Sequence, residues 1–293
     1  MKKKDATATP KSNKGRKTMS PTKKQKYAIS IDWLEIVFTG TIPQLHNGEN
    51  KVKISEDLTL ILDRRQEHPS FIYSYIVLYK NVEYGYLFYR NKEKYRFGSE
   101  VTCQLRINNQ RFYEQNYTVA LNEIIKSLKI CIYNFYRIDI AIDSSGILQR
   151  ANRLLTSNVY FPVRKVKTNV GYDTSNKNFN YIKFGSGSSE NQISIYPKSH
   201  YADKPYINTF WQINNLDVKD NEVSRLELRM RTKSTKQTEI LISKFENPDY
   251  LTSIVRSKVG TWLKFKNSTN AKREENLIEW NSFNEIEIQK KKE

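Results

Sequence analysis

The chain has 293 residues, with 49 Lys and Arg against 31 Asp and Glu, which gives a formal net charge of +18. A balance this basic favours a polyanionic partner, either nucleic acid or an anionic membrane surface. No run of the sequence approaches the roughly 18 apolar residues of a membrane span, and no apolar stretch near the N-terminus indicates a secretion signal. The three histidines and two cysteines are scattered, which argues against a Cys/His zinc site.

The positive charge is concentrated in residues 1–26, which hold ten Lys or Arg and one Asp. This segment has almost no apolar residues and cannot bury enough surface to fold, so we predict a disordered basic arm that binds phosphates through counterion release. A solubilising leader is the alternative. We expect one folded domain over 27–235, C-terminal helices over 236–267 packed on it, and a polar tail over 268–293.

The folded region is predicted to consist mainly of strands, because its segments are rich in β-branched and aromatic residues. We predict strands over 27–38, 82–90, 99–108, 136–143, 180–187, 191–198 and 224–230. Helices are expected over 118–130, with Thr118 as a cap, and over 238–245 and 250–265, with Pro248 as the break between them. The pattern predicts an α+β fold, with a largely antiparallel curved β-sheet, helices on one face and a helical C-terminal part.

Three of these strands place charged residues on one face and aliphatic residues on the other, because side chains alternate along a strand. The aliphatic face would pack against helices, and the polar face would be concave. An ordinary solvated face with cross-strand ion pairs is the alternative. The residues predicted on the polar face are Arg137, Asp139, Ala141, Asp143, Ser194, Tyr196, Lys198, Arg225, Glu227 and Arg229.

These residue types are the ones needed to cut DNA and hold its end. A tyrosine hydroxyl can open a phosphodiester by becoming joined to the phosphate, carboxylates can hold a divalent metal, and Lys or Arg can stabilise the transition-state charge. Residues two apart on a strand lie roughly 6.6 Å apart, so Lys198 can meet the same phosphate as Tyr196. Pro197 donates no backbone hydrogen bond, which predicts a sheet edge or bulge where DNA could approach.

Four segments together resemble the Rep_trans family, the replication initiation proteins of rolling-circle plasmids and filamentous phages. The segments are IDWLEIVF, YRIDIAID, YIKFGSGSSENQISIYPK and VSRLELRM, and they span about residues 31–230. Their order and spacing agree with those of the family. Residues 27–235 would then be a nicking and DNA-binding domain.

The resemblance implies an origin-specific DNA nickase and ligase in the cytoplasm of a bacterial host, with no membrane partner. Its nucleophile would be Tyr196, with Tyr201 as the alternative, and it would form a covalent 5′-phosphotyrosine. Mg²⁺ or Mn²⁺ would be held by Asp139 and Glu227, with Asp143 as a further ligand. Lys198 and Arg225 would act in catalysis and also contact DNA. The other residues expected to contact DNA are Arg137, Arg229, Lys183, Arg164 and Lys165.

The sequence also bears on partners and on alternative functions. The chain has no GxxxxGK[ST] phosphate loop, so helicase and polymerase would come from the host. The resemblance also leaves a homodimer open. A non-catalytic origin- or DNA-binding protein could use the same basic surface. RNA binding through stacked aromatic residues ranks last.

Overall fold

The computed structural model describes residues 27–40, 42, 45, 49–92, 102–131, 133–157, 159–163, 166–172, 179–198, 204–216, 223–269 and 274–276. The predicted basic arm, most of the predicted tail, and Arg164, Lys165 and Tyr201 lie outside these ranges. The predictions that concern them stay predictions.

The elements follow one another as alternating groups of strands and short helices. The strands are β1 (Tyr27–Thr39), β2 (Lys51–Lys53), β3 (Leu58–Leu62), β4 (Phe71–Tyr79), β5 (Val82–Asn91), β6 (Thr102–Ile107), β7 (Tyr133–Ser145), β8 (Tyr160–Pro162), β9 (Thr168–Tyr172), β10 (Phe179–Phe184), β11 (Asn191–Pro197), β12 (Val223–Arg231), β13 (Lys264–Asn267) and β14 (Glu274–Asn276). The helices are α1 (Tyr117–Ser127), α2 (Ile147–Thr156), α3 (Pro205–Ile213), α4 (Thr232–Lys236) and α5 (Pro248–Trp262), with 3₁₀ turns at Asn109–Tyr113 and Ile242–Lys244.

A large antiparallel sheet dominates the fold. Its eleven strands run in the order β2-β3-β4-β5-β6-β1-β7-β12-β11-β10-β9, and β14-β13-β8 form a second, small sheet. The three strands that carry the predicted polar face, β7, β12 and β11, are direct neighbours. The prediction of an α+β fold with a largely antiparallel sheet is confirmed.

The hydrophobic core lies on one face of the large sheet. Helices α1, α2 and α5 bury aliphatic residues against that face, as the sequence pattern predicts. Helix α3 differs, because it packs on the opposite, polar face through Ile207 and Trp211. The buried strand residues of the core face include Ile138, Ile140, Ile142, Ile193, Ile195, Leu226, Leu228 and Met230.

Strand β1 contains a β-bulge at Asp32. Its pairing with β7 passes from Ile31 opposite Ile140 to Trp33 opposite Asp139, which leaves Asp32 without a register partner on β7. The extra residue reverses the alternation of side chains, so that Ile31 and Leu34 both lie in the core. Asp32 lies on the polar face by ordinary alternation after Ile31, and the bulge is what returns Leu34 to the core.

Several local expectations were wrong in detail. Residues 238–245 form no α-helix and contain only a 3₁₀ turn. Pro248 begins α5 instead of breaking a helix, because proline fits the first helical position, where no N–H partner is needed. Helix α1 begins after Asn116, whose backbone is in the left-handed conformation. The Thr118 hydroxyl donates a hydrogen bond to Glu246 and does not cap the helix.

The prediction of a sheet edge at Pro197 is only locally right. Strand β11 is an interior strand between β12 and β10, and Pro197 pairs with Ser224 of β12. On the other side, pairing with β10 ends at Ile195 in the described residues. Tyr196 and Pro197 therefore have an open flank, and the missing N–H of Pro197 leaves no ladder bond unmade there.

Candidate active site

A row of small side chains crosses the polar face of the sheet. In register across β1, β7, β12 and β11, this row reads Ser30, Ala141, Glu227 and Ser194. The side chains of Ser30, Ala141 and Ser194 are short, whereas larger side chains occupy the neighbouring rows. We call the polar face over this row the hollow, with those three residues as its floor.

Tyr196 projects into the hollow. It lies opposite Arg225 in the register, and its side chain reaches diagonally to Glu227, where the hydroxyl donates a hydrogen bond to Oε1. The phenol oxygen thus lies on the polar face, on the side opposite the buried Ile195. Burial, followed by the charge of Glu227, raises the pKa of Tyr196 above its usual value, so the phenol is neutral in the free protein.

Asp32 and Glu227 form a pair of neighbouring carboxyl groups in the hollow. Both face Arg225, whose Nη1 lies 2.6 Å from Oδ1 of Asp32 and 4.0 Å from Oε1 of Glu227. Burial and then the nearby charge of Asp32 raise the pKa of Glu227 to about 7. Burial also acts to raise the pKa of Asp32, but Arg225 and the Tyr113 hydroxyl outweigh it and the pKa is lowered. The pair therefore keeps Asp32 ionised and lets Glu227 change protonation near neutral pH.

Arg225 forms ion pairs with the acidic residues Asp32 and Asp143 beneath the hollow. Its side chain is fully buried, and its Nε and Nη2 donate to the two oxygens of Asp143 at 2.6 and 2.7 Å. Its Nη1 donates to Asp32 at 2.6 Å and to the Tyr113 hydroxyl at 2.9 Å. With these donors engaged and no exposed surface, Arg225 is placed to orient the carboxylates.

Helix α3 closes one end of the hollow. The indole Nε1 of Trp211 donates to Oδ2 of Asp143 at 2.8 Å, and Phe210 packs edge-to-face on Tyr113 with ring centroids 5.2 Å apart. The hydroxyl of Tyr113 in turn donates to Oδ1 of Asp32 at 2.6 Å. This end of the site is consequently buried and rigidly hydrogen-bonded.

A second ion-pair cluster lies at the more open end of the hollow. Asp139 is 2% exposed and accepts from Arg137 and from Nε of Arg229, the latter at 3.2 Å. The Arg137 guanidinium also lies over the ring of Trp33, 4.4 Å from its centroid. Both arginines keep partly exposed side chains, at 21% and 26%. This end presents positive charge to solvent beside the nucleophile candidate.

Lys198 lies next to the tyrosine, as the strand spacing predicts. Its Nζ is 5.6 Å from the centroid of the Tyr196 ring. Burial, followed by the charge of Arg225, lowers the pKa of Lys198, while the surrounding carboxylates oppose that change. The distance places the amino group of Lys198 beside the phenol ring of Tyr196.

The carboxyl pair of Asp32 and Glu227 is the arrangement that best fits a divalent cation. Burial and then the charge of Asp32 raise the pKa of Glu227, and a bound cation would take the place of the proton that this carboxyl group holds. No cluster of three or more metal-ligating side chains occurs among the described residues. Two carboxylates suit Mg²⁺, which commonly completes its shell with water and substrate phosphate.

The geometry can be compared with known proteins. No protein-family model and no curated protein matches the sequence. A solved structure does match, that of the rolling circle replication initiator protein from Geobacillus stearothermophilus, with a TM-score of 0.53 and 15% sequence identity. The match covers 88% of this chain and 95% of that one. The two chains share a fold.

No helix in the described part of the chain has the length and apolar character that crossing a membrane requires.

The structure brings together some of the residues predicted from sequence and separates others. Tyr196, Lys198, Arg225 and Glu227 surround the hollow, whereas Asp143 is enclosed by Arg225 and Trp211. Asp139 belongs to the arginine cluster at the open end. Lys183 is partly exposed on β10 opposite Ser194, on the same polar face.

Sequence reasoning missed three residues of the site. Asp32 lies within the IDWL segment, and alternation after Ile31 puts it on the polar face, but its contacts with Arg225 and Tyr113 join segments that are distant in the sequence. Tyr113 and Trp211 belong to a 3₁₀ turn and a short helix, which carry no strand pattern. The only available signal for Asp32 was an acid between two apolar residues of a buried strand.

Proposed function

We propose that this protein is a rolling-circle replication initiator that nicks and rejoins DNA at a replication origin through Tyr196. The observation that carries the proposal is the hydrogen bond from the Tyr196 hydroxyl to Glu227, beside Asp32 and above a buried arginine. The fold shared with the Geobacillus stearothermophilus initiator supports the same class. Such a protein acts in the bacterial cytoplasm and relies on host helicase and polymerase.

In the proposed nicking step, the phenol oxygen of Tyr196 attacks a backbone phosphorus of single-stranded origin DNA. An O–P bond to the 5′ side forms, and the P–O3′ bond breaks. The tyrosine proton passes to the Glu227 carboxylate, whose pKa of about 7 suits a base at neutral pH. The leaving 3′-oxygen takes a proton from water and becomes the primer for synthesis.

The surrounding residues have distinct proposed roles. Lys198 stabilises the charge that develops on the phosphate. Arg225, which is fully buried, orients Asp32 and does not contact DNA. Arg137 and Arg229 bind the neighbouring phosphates at the open end.

A divalent cation, Mg²⁺ or Mn²⁺, would be held by Asp32 and by the Glu227 oxygen that does not accept from Tyr196. When bound, it would polarise a non-bridging phosphate oxygen and lower the pKa of the nearby phenol. Asp139 and Asp143 are less suited to hold it, because arginines bind both oxygens of each, whereas Arg225 and Tyr113 contact Oδ1 of Asp32.

The test is incubation with supercoiled DNA of the protein's own replicon, in Mg²⁺ or in EDTA, followed by detection of protein attached to the nicked strand. We expect an adduct with wild type in Mg²⁺ and none with Tyr196→Phe, which should still bind DNA. Tyr181→Phe is the matched control, because Tyr181 is exposed on the same sheet and should leave adduct formation unchanged.

Other outcomes discriminate the alternatives. An adduct that persists in Tyr196→Phe contradicts the assignment, and its loss in Tyr201→Phe would identify the substitute nucleophile. Origin binding by wild type without any adduct would favour a non-catalytic origin-binding protein.

A further inference from the structure

A cavity of about 300 Å³ lies beside the hollow, at the first half of β1. Residues 112–117, the C-terminal end of α3 and the start of α5 form its other walls. Strand β1 pairs with β6 only from Leu34 onward, so within the described residues its first half has no strand on this side. The cavity occupies this unpaired flank of the sheet.

Two residues belong to both the cavity and the hollow. Tyr113 lines the cavity, and its hydroxyl is bonded to Asp32 and Arg225. Ser30 lines the cavity and also begins the row of small residues at the floor of the hollow. A molecule bound in the cavity would therefore be an immediate neighbour of the proposed phosphate site.

The chemistry of the lining favours a flat, neutral ligand. Aromatic rings of Phe112, Tyr113 and Phe210 contribute to the walls. The lining contains the carboxylates Glu114 and Glu246, and no Lys or Arg occurs among its described residues. Such a surface disfavours a phosphate and favours an aromatic ring that carries N–H donors. The volume is at the lower end of the roughly 300–1,000 Å³ of ligand sites, which suits a group the size of a base.

Two buried hydroxyls in the lining have no partner within the described part of the chain. They are Oγ of Ser30 and the hydroxyl of Tyr117, whose residues are 4% and 5% exposed. Buried polar atoms are rarely left unpaired, and an unpaired one often indicates a group that a ligand completes. Glu246 also keeps acceptor capacity, because each of its oxygens receives one contact from Thr118, at 3.4 and 3.1 Å.

We propose that this cavity receives one unstacked base of the single-stranded DNA next to the nick site. The walls would stack on the base, and Glu246 would accept from an exocyclic amino group, which adenine, cytosine and guanine carry and thymine lacks. The inference rests on the proposed function, because the single strand in the hollow is what brings a base to the cavity. It adds a source of sequence preference to the site.

The test measures binding of short single-stranded homopolymers by fluorescence anisotropy in EDTA, where no cleavage occurs. The probes are oligodeoxyadenylate, oligodeoxycytidylate, oligothymidylate and an abasic strand of equal length. Ile213→Trp fills the mouth of the cavity from an exposed position, and Ser30→Ala removes one unpaired hydroxyl without adding bulk. Ile72→Trp, at an exposed position on β4, is the matched control.

We expect wild type to bind the adenine and cytosine strands more tightly than the thymine and abasic strands. Ile213→Trp should weaken binding of the first two by about tenfold and leave the abasic strand unchanged. Ser30→Ala should act in the same direction, and the control should bind like wild type. If both cavity variants bind every strand like wild type, or weaken the abasic strand equally, the inference is overturned. The adduct test with replicon DNA is scored separately, so either proposal can fail while the other stands.

Discussion

The hydroxyl of Tyr196 donates a hydrogen bond to Glu227 of the neighbouring strand, and Nη1 of Arg225 lies 4.0 Å from Glu227 and 2.6 Å from Asp32. A phenol and two acids thus meet beside one buried arginine, in a hollow floored by small side chains. This arrangement links the protonation of Glu227 to the stability of the fold and to the transfer of the proton from Tyr196. Variants of the individual residues separate these effects.

Removing the charge of Glu227 should stabilise the protein at high pH. Its pKa rises from 4.5 to about 7 on folding, so the folded state holds a proton that the unfolded state has released between those values. The resulting stability is complete below pH 4.5 and is lost as the pH rises through about 7. Glu227→Gln stays neutral, and we expect it to exceed wild type by about 1–3 kcal/mol near pH 8.

This prediction is checked by urea unfolding at several pH values in EDTA. The advantage of Glu227→Gln should shrink as the pH falls toward about 5. Glu239→Gln, at an exposed position, should show no such trend. A stability difference for Glu227→Gln that is constant with pH would contradict the assignment.

Asp32 and Asp139 should differ in their effect on the metal-dependent step. Asp32→Asn removes half of the carboxyl pair, and we expect adduct formation at limiting Mg²⁺ to fall by about 10- to 100-fold. Asp139→Asn changes only the arginine cluster and should retain adduct formation. The comparison comes from adduct formation measured at increasing Mg²⁺ concentration with each folded variant. A larger loss in Asp139→Asn than in Asp32→Asn would assign the metal site to Asp139.

Arg225 should be essential for stability. It neutralises Asp143 and Asp32 with no exposed surface, so Arg225→Met leaves buried carboxylates without their partner. We expect a loss of about 3–5 kcal/mol in the free energy of unfolding. Arg137→Met is the control, because its side chain is partly exposed and should cost about 1 kcal/mol or less. Equal losses in urea unfolding would show that Arg225 has no special structural role.

Arg229 should contribute to DNA affinity through charge. Its side chain is partly exposed at the open end of the hollow. We expect Arg229→Gln to weaken single-strand binding and to lower the slope of log affinity against log salt by about 1. Arg65→Gln removes an equal charge from a side chain that is 92% exposed on a loop outside the site. If both variants change the slope equally, the effect is one of net charge and not of position.

The sequence predicted the part of the fold that follows a two-residue period. The aliphatic residues of β7, β11 and β12 lie in the core, and Tyr196 and Glu227 lie on the opposite face, because alternation is a local property of a strand. The order of the strands in the sheet is not local. It places β1 beside β7, which no local pattern indicates. Strands β2, β3, β4 and β9 of the same sheet were not predicted.

The parts of the site that were missed depend on irregular backbone or on tertiary contacts. Asp32 joins the site through its contact with Arg225 of β12, Tyr113 lies in a 3₁₀ turn, and Trp211 belongs to a short helix that docks on the polar face. The role expected for Arg225 also changed for this reason, since its full burial follows from α3 and β1 and not from its own strand. Residue type indicated the chemistry, and packing decided which groups carry it.

The bulge at Asp32 makes the length of β1 as important as its composition. Replacing Asp32 removes one acid of the carboxyl pair and leaves the backbone unchanged, whereas deleting it removes the bulge as well. Ile31 and Leu34 would then be two residues apart, so simple alternation would keep both in the core. A protein of this fold can therefore lose the bulge without losing its interior packing. In a collection of divergent relatives, a gap at this position should mark chains that lack the carboxyl pair.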